Sequence, residues 1–430
     1  MKVAFYTLGC KVNQYETQVM LEKLVNAGFE IVSHNDKADI YIVNSCTVTA
    51  TSDQKTRQCV RRFKKQHPES VVVLTGCMPQ AYPQNADMLP EADIVLGNRN
   101  TELLLSAIDE YMLSGKRFFN VKEIVGKESF ESMAISGFNE RTRAFVKIED
   151  GCNRFCSYCI IPTARGRVRS KPLDELRSEL EKLEKSGFLE IVLVGINLSA
   201  YGLGTDTNIC DAVELACSFD GFKRVRLGSL EPDHITEEVI ERLSKCKKLC
   251  PQFHISLQSG CDETLRRMNR HYTTQDYRQL CKSLRENFDD CAITTDIMVG
   301  FAGETEEEFN SSLDFVKEIS FSDAHVFAYS RRIGTRAADF PKQVVKSDKE
   351  KRSKKMMEVT QKTHKDFMLS CVGKITDVLF ETVDKDGWYT GYTSNYVSVR
   401  VKSDENICSS IQKVKITGLE TSYCVGKLKY

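Results

Sequence analysis

The chain lacks any apolar run approaching the ~20 residues that a membrane span requires, so no membrane partner is expected. It also lacks net charge. Its 60 lysines and arginines balance 60 aspartates and glutamates, so a nucleic acid can be met only by a local basic patch. The amino terminus, Met1-Lys2-Val3-Ala4-Phe5-Tyr6, runs directly into a strand-like segment without a secretory layout, and a cytoplasmic protein is expected. Cysteine, by contrast, is plentiful, at 17 of 430 residues. In a reducing compartment, clustered cysteines mean metal or catalysis more often than disulfides. Hydrophobic residues, at 41%, suffice for ordinary globular cores, and the length suggests about three domains.

The densest cluster is Gly151-Cys152-Asn153-Arg154-Phe155-Cys156-Ser157-Tyr158-Cys159, a C-x3-C-x2-C spacing. Three thiolates this close can ligate three irons of a 4Fe–4S cubane, which usually takes four, and so leave one iron open. A zinc knuckle short of its fourth ligand and a loop with incidental thiols are the alternative readings. The spacing resembles that of the radical S-adenosylmethionine (SAM) superfamily, in which the open iron chelates SAM.

Residues 1 to 115 alternate strand-like and helix-like patterns, with apolar runs at Val3–Leu8, Asp39–Val43, Val71–Leu74 and Ile94–Leu96. Continuous apolar strands alternating with helices indicate a parallel sheet covered on both faces. Residues 116–138 have weak periodicity and read as a linker. From 139 to about 330 the alternation repeats six times, and no Rossmann fingerprint accompanies it. A partial (βα)6 barrel is therefore expected, with the Cys152 loop at the carboxyl end of its first strand. A charged helix from Ser347 ends this unit near 368. Residues 369–430 alternate as short strands around turn residues and predict a small β-barrel. The fold class is α/β with an appended all-β unit.

Three further cysteines, Cys10, Cys46 and Cys77, each follow a predicted parallel strand of the first unit. That edge is where open α/β sheets bind ligands. They read either as a second thiolate trio or as small buried hydrophobes.

The segments Thr7-Leu8-Gly9-Cys10-Lys11-Val12-Asn13, Asn44-Ser45-Cys46-Thr47-Val48-Thr49 and Thr75-Gly76-Cys77 resemble the amino-terminal domain of the radical SAM methylthiotransferases. Cys152 through Pro162, with Ala164-Arg165-Gly166, resembles the SAM-cluster loop of the same family. His254 to Gly260 and Thr295 to Phe301 extend the likeness, and Gly391 to Tyr396 is similar to the TRAM domain, an RNA-binding barrel. Leu8 to Glu16 and Tyr329 to Thr335 are most similar to the MtaB-type branch, which adds a methylthio group to C2 of N6-threonylcarbamoyladenosine beside the tRNA anticodon. Ala302 and Ala328 stand where that family usually has proline, which loosens two strand-end loops.

The resemblance implies two 4Fe–4S clusters, one on Cys152, Cys156 and Cys159, the other on Cys10, Cys46 and Cys77. It further implies SAM as cofactor, tRNA as substrate, an electron donor such as flavodoxin or ferredoxin, and a monomer. The first cluster would cleave SAM reductively to a 5′-deoxyadenosyl radical, and the second would carry the transferred sulfur. Tyr158, Arg226 and Glu231 are candidate SAM contacts, each with a plain packing or salt-bridge role as the alternative. Candidate RNA contacts are Arg165, Arg167 and Arg169 after the SAM loop, Trp388 and Tyr392 in the tail, and a basic helix carrying Lys55, Arg57, Arg61, Arg62, Lys64 and Lys65. Asp296 and Glu304 are further candidates, His254 reads as a core histidine, Cys246 and Cys250 are spaced as a metal pair but lack partner ligands, and the other nine cysteines read as reduced thiols. Competing functions are methylthiolation of isopentenyladenosine or of a ribosomal-protein aspartate, and, from another class, non-catalytic metal and RNA binding.

Overall fold

Alternation of side chains across the first sheet builds two cores. In the computed structural model, which describes residues 1–99, 101–126, 128–137 and 142–429, six parallel strands run in the order Glu30–Val32, Lys2–Thr7, Ile40–Ser45, Val71–Gly76, Ile94–Leu96, Phe118–Asn120. The strands Ile40–Ser45 and Val71–Gly76 are buried at every position, as a doubly covered parallel sheet demands. Ile40, Ile42, Val71 and Val73 pack with Met20, Leu24, Leu104 and Ile108 of the Lys11–Asn26 and Leu104–Ser114 helices. Tyr41, Val43, Val72 and Leu74 face the other way, onto Cys59, Val60 and Phe63 of the Ala50–Gln66 helix. Two three-residue edge strands escaped the sequence reading, and one of them, Phe118–Asn120, lies in the stretch expected to be linker. The expected boundary between 138 and 139 lies outside the described residues.

The second unit is the expected curved array of parallel strands. Arg143–Lys147, Glu190–Val194 and Arg224–Leu227 pair in succession, as do Gln252–Ile255, Ala292–Val299 and Asp323–Ala328. The two sets meet through a Val225–Leu249 bridge and the short strand Ser229–Leu230 against His254 and Ile255. Among the described residues the first and last strands are not paired with each other, so the barrel stays open on one side. Helices on its outside start at side-chain caps. Asn208, Thr273 and Thr305 each form a reciprocal capping box, with Asp211, Asp276 and Glu308.

The Lys346–Ser370 helix leads to a closed five-stranded barrel in the order Ile375–Val383, Trp388–Thr393, Ser398–Lys402, Cys424–Leu428, Ile411–Leu419. This barrel seals the amino ends of the larger barrel's strands. Arg143 pairs with Glu381 at 2.6 Å, and Arg224 donates to the carbonyls of Asp377 at 2.7 Å and Tyr392 at 2.9 Å. The opposite, carboxyl end meets the first domain, where Lys147 at the end of its strand pairs with Glu16 at 3.0 Å. Among the described residues no helix is long and apolar enough to cross a membrane.

Candidate metal centre

The Cys152–Cys159 loop is shaped by backbone constraint. Gly151 has φ +89°, and a Cβ there would lie 2.0 Å from the Arg167 carbonyl oxygen, so only glycine permits the loop to double back. Phe155 takes a left-handed φ of 49°. The segment Arg267–Asn269 anchors the loop. Ser157 N–H donates to the Met268 carbonyl at 2.9 Å, and Asn269 donates to the carbonyls of Arg154 and Phe155 at 3.2 Å.

Every sulfur of this trio faces an N–H donor. The amides of Arg154 and Ile161 lie 3.4 Å from Cys152 and Cys159, and the Arg270 guanidinium lies 3.3 Å from Cys156. Asn197 Nδ2 adds a contact at 3.9 Å to Cys152. Hydrogen bonds to sulfur are a principal means by which proteins tune iron–sulfur clusters. Burial pushes the Cys152 thiol up to about 12 and raises Cys159 further, each sulfur adding to the cost of charging its neighbour. Such thiols release their protons when a cation arrives.

The other trio gathers at the carboxyl ends of the first sheet's strands. A Cβ on Gly9 would lie 2.8 Å from Cys46 Cβ and 3.3 Å from its Sγ, so the Cys10 and Cys46 loops touch only because position 9 is glycine. Cys10 donates to Asn13 Oδ1 at 3.3 Å, and Asn13 holds the Ser45 carbonyl at 2.9 Å. Asn98 Nδ2 reaches Cys77 Sγ at 3.9 Å and the Ala164 carbonyl at 2.7 Å. Cys77 packs on Ile160 and Ala164, in the short helix that follows Cys159. Burial lifts Cys77 to about 12, against the pull of Arg165. Among the described residues no three His, Cys, Asp or Glu side chains close on a single-ion site.

Two adjoining cavities border the trios. One, of about 500 Å³, is lined by Gly9, Cys10, Lys11, His254 and Tyr396. The other, of about 150 Å³, is lined by Tyr158, Cys159, Gln258, Met298 and Tyr329. Asp296 lines both. It pairs with His254 at 3.4 Å, so that histidine faces the cavity and is not simply core.

The remaining candidates divide sharply. Tyr158 is half-buried, edge-on to Phe301 at 6.2 Å between ring centres, and lines the smaller cavity. Glu231 is ion-paired to Arg270 and so is tied through it to Cys156; burial still raises its carboxyl pKa. Glu304 is a structural anchor, bonded to Gly300 N–H and to Arg352 at 2.6 Å. It braces the loop at Ala302, where proline was expected.

Several expectations require correction. Arg226 does not face the Cys152 trio. It pairs with Glu190 at 2.8 Å, donates to the Ser394 carbonyl at 2.9 Å and lies 4.7 Å over the Tyr396 ring. Tyr392 stacks on Tyr396 at 4.8 Å beneath Arg143, inside the same interface, and is not a base-stacking platform. Arg165 is fully buried between Glu16 at 2.5 Å and Asp150 at 3.3 Å, and Arg169 is buried against Asp150 at 3.1 Å. Neither is available to RNA. Arg167 alone of that group is exposed, 4.5 Å over Phe155. On the basic helix, Lys64 is spent on Asp93 at 2.8 Å and Arg61 on Glu91 at 3.2 Å. Replacing Arg226 by methionine is expected to leave SAM cleavage unchanged and to accelerate limited proteolysis at the junction of the small barrel; slower SAM cleavage with an intact junction would reverse that assignment.

Asn98, Asn197, Arg270 and Arg332 were missed in the sequence. Arg332 crosses between the lobes to Asp53 at 2.6 Å and Thr47 at 2.8 Å, beside Cys46. Nothing local marks these residues, since each acts on a partner distant in the chain.

Residues 2–97 match the uncharacterized protein family UPF0004, and residues 146–316 match the radical SAM superfamily. The threonylcarbamoyladenosine tRNA methylthiotransferase MtaB of Bacillus subtilis (strain 168) is 38% identical over 420 residues, covering 96% of this chain and 93% of its own length. Its counterpart in Aquifex aeolicus (strain VF5) is 36% identical over 374 residues, covering 87% and 91%. A tRNA-2-methylthio-N(6)-dimethylallyladenosine synthase of Pelotomaculum thermopropionicum is 31% identical, covering 100% and 98%. The fold is similar to that of the radical SAM methyltransferase TsrM from Kitasatospora setae, at a TM-score of 0.58 and 14% identity over 78% of this chain and 77% of that one. By the extent of this identity, the chain belongs to the MtaB branch of the radical SAM tRNA methylthiotransferases.

Proposed function

We propose that the protein adds a methylthio group to C2 of N6-threonylcarbamoyladenosine beside the anticodon of tRNA, using SAM and two 4Fe–4S clusters. The observation that carries the reading is the pair of cysteine trios, one per lobe, bordering adjoining cavities in a chain 36–38% identical to enzymes of that name. A 4Fe–4S cluster with an open iron, when bound, supplies SAM with the single electron that no side chain can deliver. Cys152, Cys156 and Cys159 would hold it. Cys10, Cys46 and Cys77 would hold the second cluster, whose open iron would carry the sulfur. A donor such as flavodoxin or ferredoxin would provide the electron, and a monomer suffices, since one chain contributes both trios.

The protein's own share is placement and electrostatics. Arg270 holds Cys156 and Glu231 in one geometry. Tyr158, Met298 and Phe327 give the smaller cavity apolar walls, which exclude water beside Cys159. Asn98 fixes Cys77 to the carbonyl of Ala164 and thereby sets the spacing of the trios.

For tRNA, the outer face of the small barrel offers Trp388, with Lys402 at 6.0 Å over its ring and Arg400, itself ion-paired to Asp384, at 5.4 Å, and Tyr423 at 4.9 Å from Arg400. An aromatic ring beside cations stacks bases and meets phosphate. Trp388→Ala with Arg400→Ala is expected to weaken tRNA binding by about tenfold or more, at one stacked base and one charge lost. Reductive SAM cleavage should remain intact; unchanged affinity would remove RNA from this face. The function as a whole is tested by nucleoside mass spectrometry of tRNA from cells lacking the protein. The methylthio-threonylcarbamoyl nucleoside should vanish and its threonylcarbamoyl precursor accumulate, whereas persistence of both in normal ratio would refute the reading.

A further inference from the structure

Among the described residues, the larger cavity is lined by a cation to which no acidic side chain is bonded. Lys11 lines it next to Cys10, and among the described residues its ammonium has neither hydrogen bond nor ion pair. The carboxylate closest in electrostatic reach, Glu190, is already shared by Arg226 at 2.8 Å, Arg224 at 3.6 Å and Arg143 at 3.7 Å. Of the acids lining the cavity, Asp296 meets His254 at 3.4 Å, and Asp323 accepts the Ala324 N–H at 2.8 Å. Lys11 is thus the one lysine or arginine in the cavity wall, and no carboxylate of that wall is bonded to it. An ammonium in a cavity wall with no bonded carboxylate is free to pair with a ligand that brings an anion.

Neutral groups stand beside it. Thr294 Oγ1 meets His254 Nδ1 at 3.1 Å and Gln252 Nε2 at 3.2 Å, a short polar string suited to a hydroxyl and a urea-type carbonyl. A volume of about 500 Å³ falls within the roughly 300–1,000 Å³ of small-ligand pockets.

These features match one of the two nucleosides named for the relatives. The threonylcarbamoyl substituent ends in a carboxylate and carries a hydroxyl, whereas dimethylallyl is uncharged and apolar. Cluster-binding cysteines cannot tell the two apart, so discrimination has to reside where the N6 substituent lies. Resting on the function proposed above, we infer that this cavity receives the N6 substituent and that Lys11 is the specificity-determining residue, pairing its ammonium with the substituent's carboxylate.

The test uses two anticodon stem-loops, one carrying threonylcarbamoyladenosine and the other the same group with its carboxylate converted to carboxamide, equal in size and lacking one charge. Binding to the cluster-loaded protein is measured for wild type, Lys11→Met and Lys11→Arg, alongside methylthiolation. Wild type is expected to prefer the carboxylate by about 10- to 100-fold, the range of a charge-assisted contact. K11M should show no preference, and K11R should keep part of it. Equal wild-type affinity for the two stem-loops overturns the inference. So does a preference that survives in K11M, or a K11M defect confined to the KM for SAM, which would assign the cavity to the cofactor. Should K11M lose its clusters, the wild-type preference and its reduction in K11R decide the matter. A protein that shows the binding preference yet methylthiolates neither stem-loop would sink the proposed reaction and leave the lysine subsite standing.

Discussion

Reconstituted Cys156→Ala protein is expected to lose reductive cleavage of SAM by at least about a thousandfold while retaining about four irons per chain on the remaining trio. The expectation follows from the geometry of Cys156. It is buried, its sulfur accepts the Arg270 guanidinium at 3.3 Å, and the same guanidinium holds Glu231. No other thiol lies in that loop beyond Cys152 and Cys159, so no substitute ligand is at hand. The complementary change, Cys46→Ala, should give the mirror phenotype. SAM is cleaved at close to the wild-type rate, about four irons remain, and no methylthio group reaches tRNA. Iron and sulfide analysis with anaerobic SAM-cleavage assays distinguishes the two. If Cys46→Ala abolished SAM cleavage outright, the two trios could not be independent centres. If Cys156→Ala left cleavage intact, the C-x3-C-x2-C loop would not be the SAM centre.

Loss of the Arg165 guanidinium should be the most damaging single change outside the cysteines. Arg165 is fully buried where the lobes meet, donating to Glu16 and Asn13 from the first domain and to Asp150 from the second. Lys147 bridges the same carboxylates, at 3.0 Å to Glu16 and 3.1 Å to Asp150. Arg165→Ala leaves Glu16 with only Lys147 as its cation, a lysine it shares with Asp150, which keeps Arg169 as well. Breaking a buried pair in this way costs about 3–5 kcal/mol. Arg165→Met combined with Glu16→Gln should recover much of the loss, because it removes the stranded carboxylate and leaves Lys147 to Asp150. Chemical denaturation of the three proteins checks this order, and equal stability of wild type and Arg165→Ala would refute it.

The same cluster dictates a pH dependence. Despite desolvation, the cations around them hold Glu16 below its ordinary value of 4.5 and Asp150 below its ordinary 3.8. A carboxyl whose folded pKa is depressed stabilises the fold fully above its unfolded value and loses that contribution as pH falls. Acid unfolding of the wild type should accordingly begin below about pH 4.5 and proceed as these groups take up protons. Arg165→Ala, with weaker cationic support, should unfold at higher pH.

Much of this architecture was readable in the chain because its signals are local. The apolar runs Asp39–Val43 and Val71–Leu74 read as strands covered on both faces, and they form the strands Ile40–Ser45 and Val71–Gly76. Cys10, Cys46 and Cys77 could be grouped despite their separation, since each follows a strand of one parallel sheet and such strands end on a common edge. The two edge strands Glu30–Val32 and Phe118–Asn120 were invisible because three residues set no periodicity. The arginines were beyond local reading for a different reason. Arg165, Arg167 and Arg169 share one pentapeptide, yet the first and third are buried on Asp150 while the second is exposed on Phe155. Arg226 looked like a residue at a catalytic strand end, but the carbonyl that claims it lies 168 positions away in the small barrel.

Composition and strand periodicity thus determined the α/β class and the appended small barrel, cysteine spacing marked the Cys152 loop, and motif resemblance supplied the second trio and the family. Those properties depend on residue type and short-range spacing, which a linear chain states openly. Tertiary structure alone decided which cations are spent in buried pairs and which remain available, leaving Lys11 unpaired in the cavity while Arg165 and Arg226 became clamps between domains. The reason is physical: the worth of a charge depends on its desolvation and its nearest counter-charge, and both exist only once distant segments have been brought together.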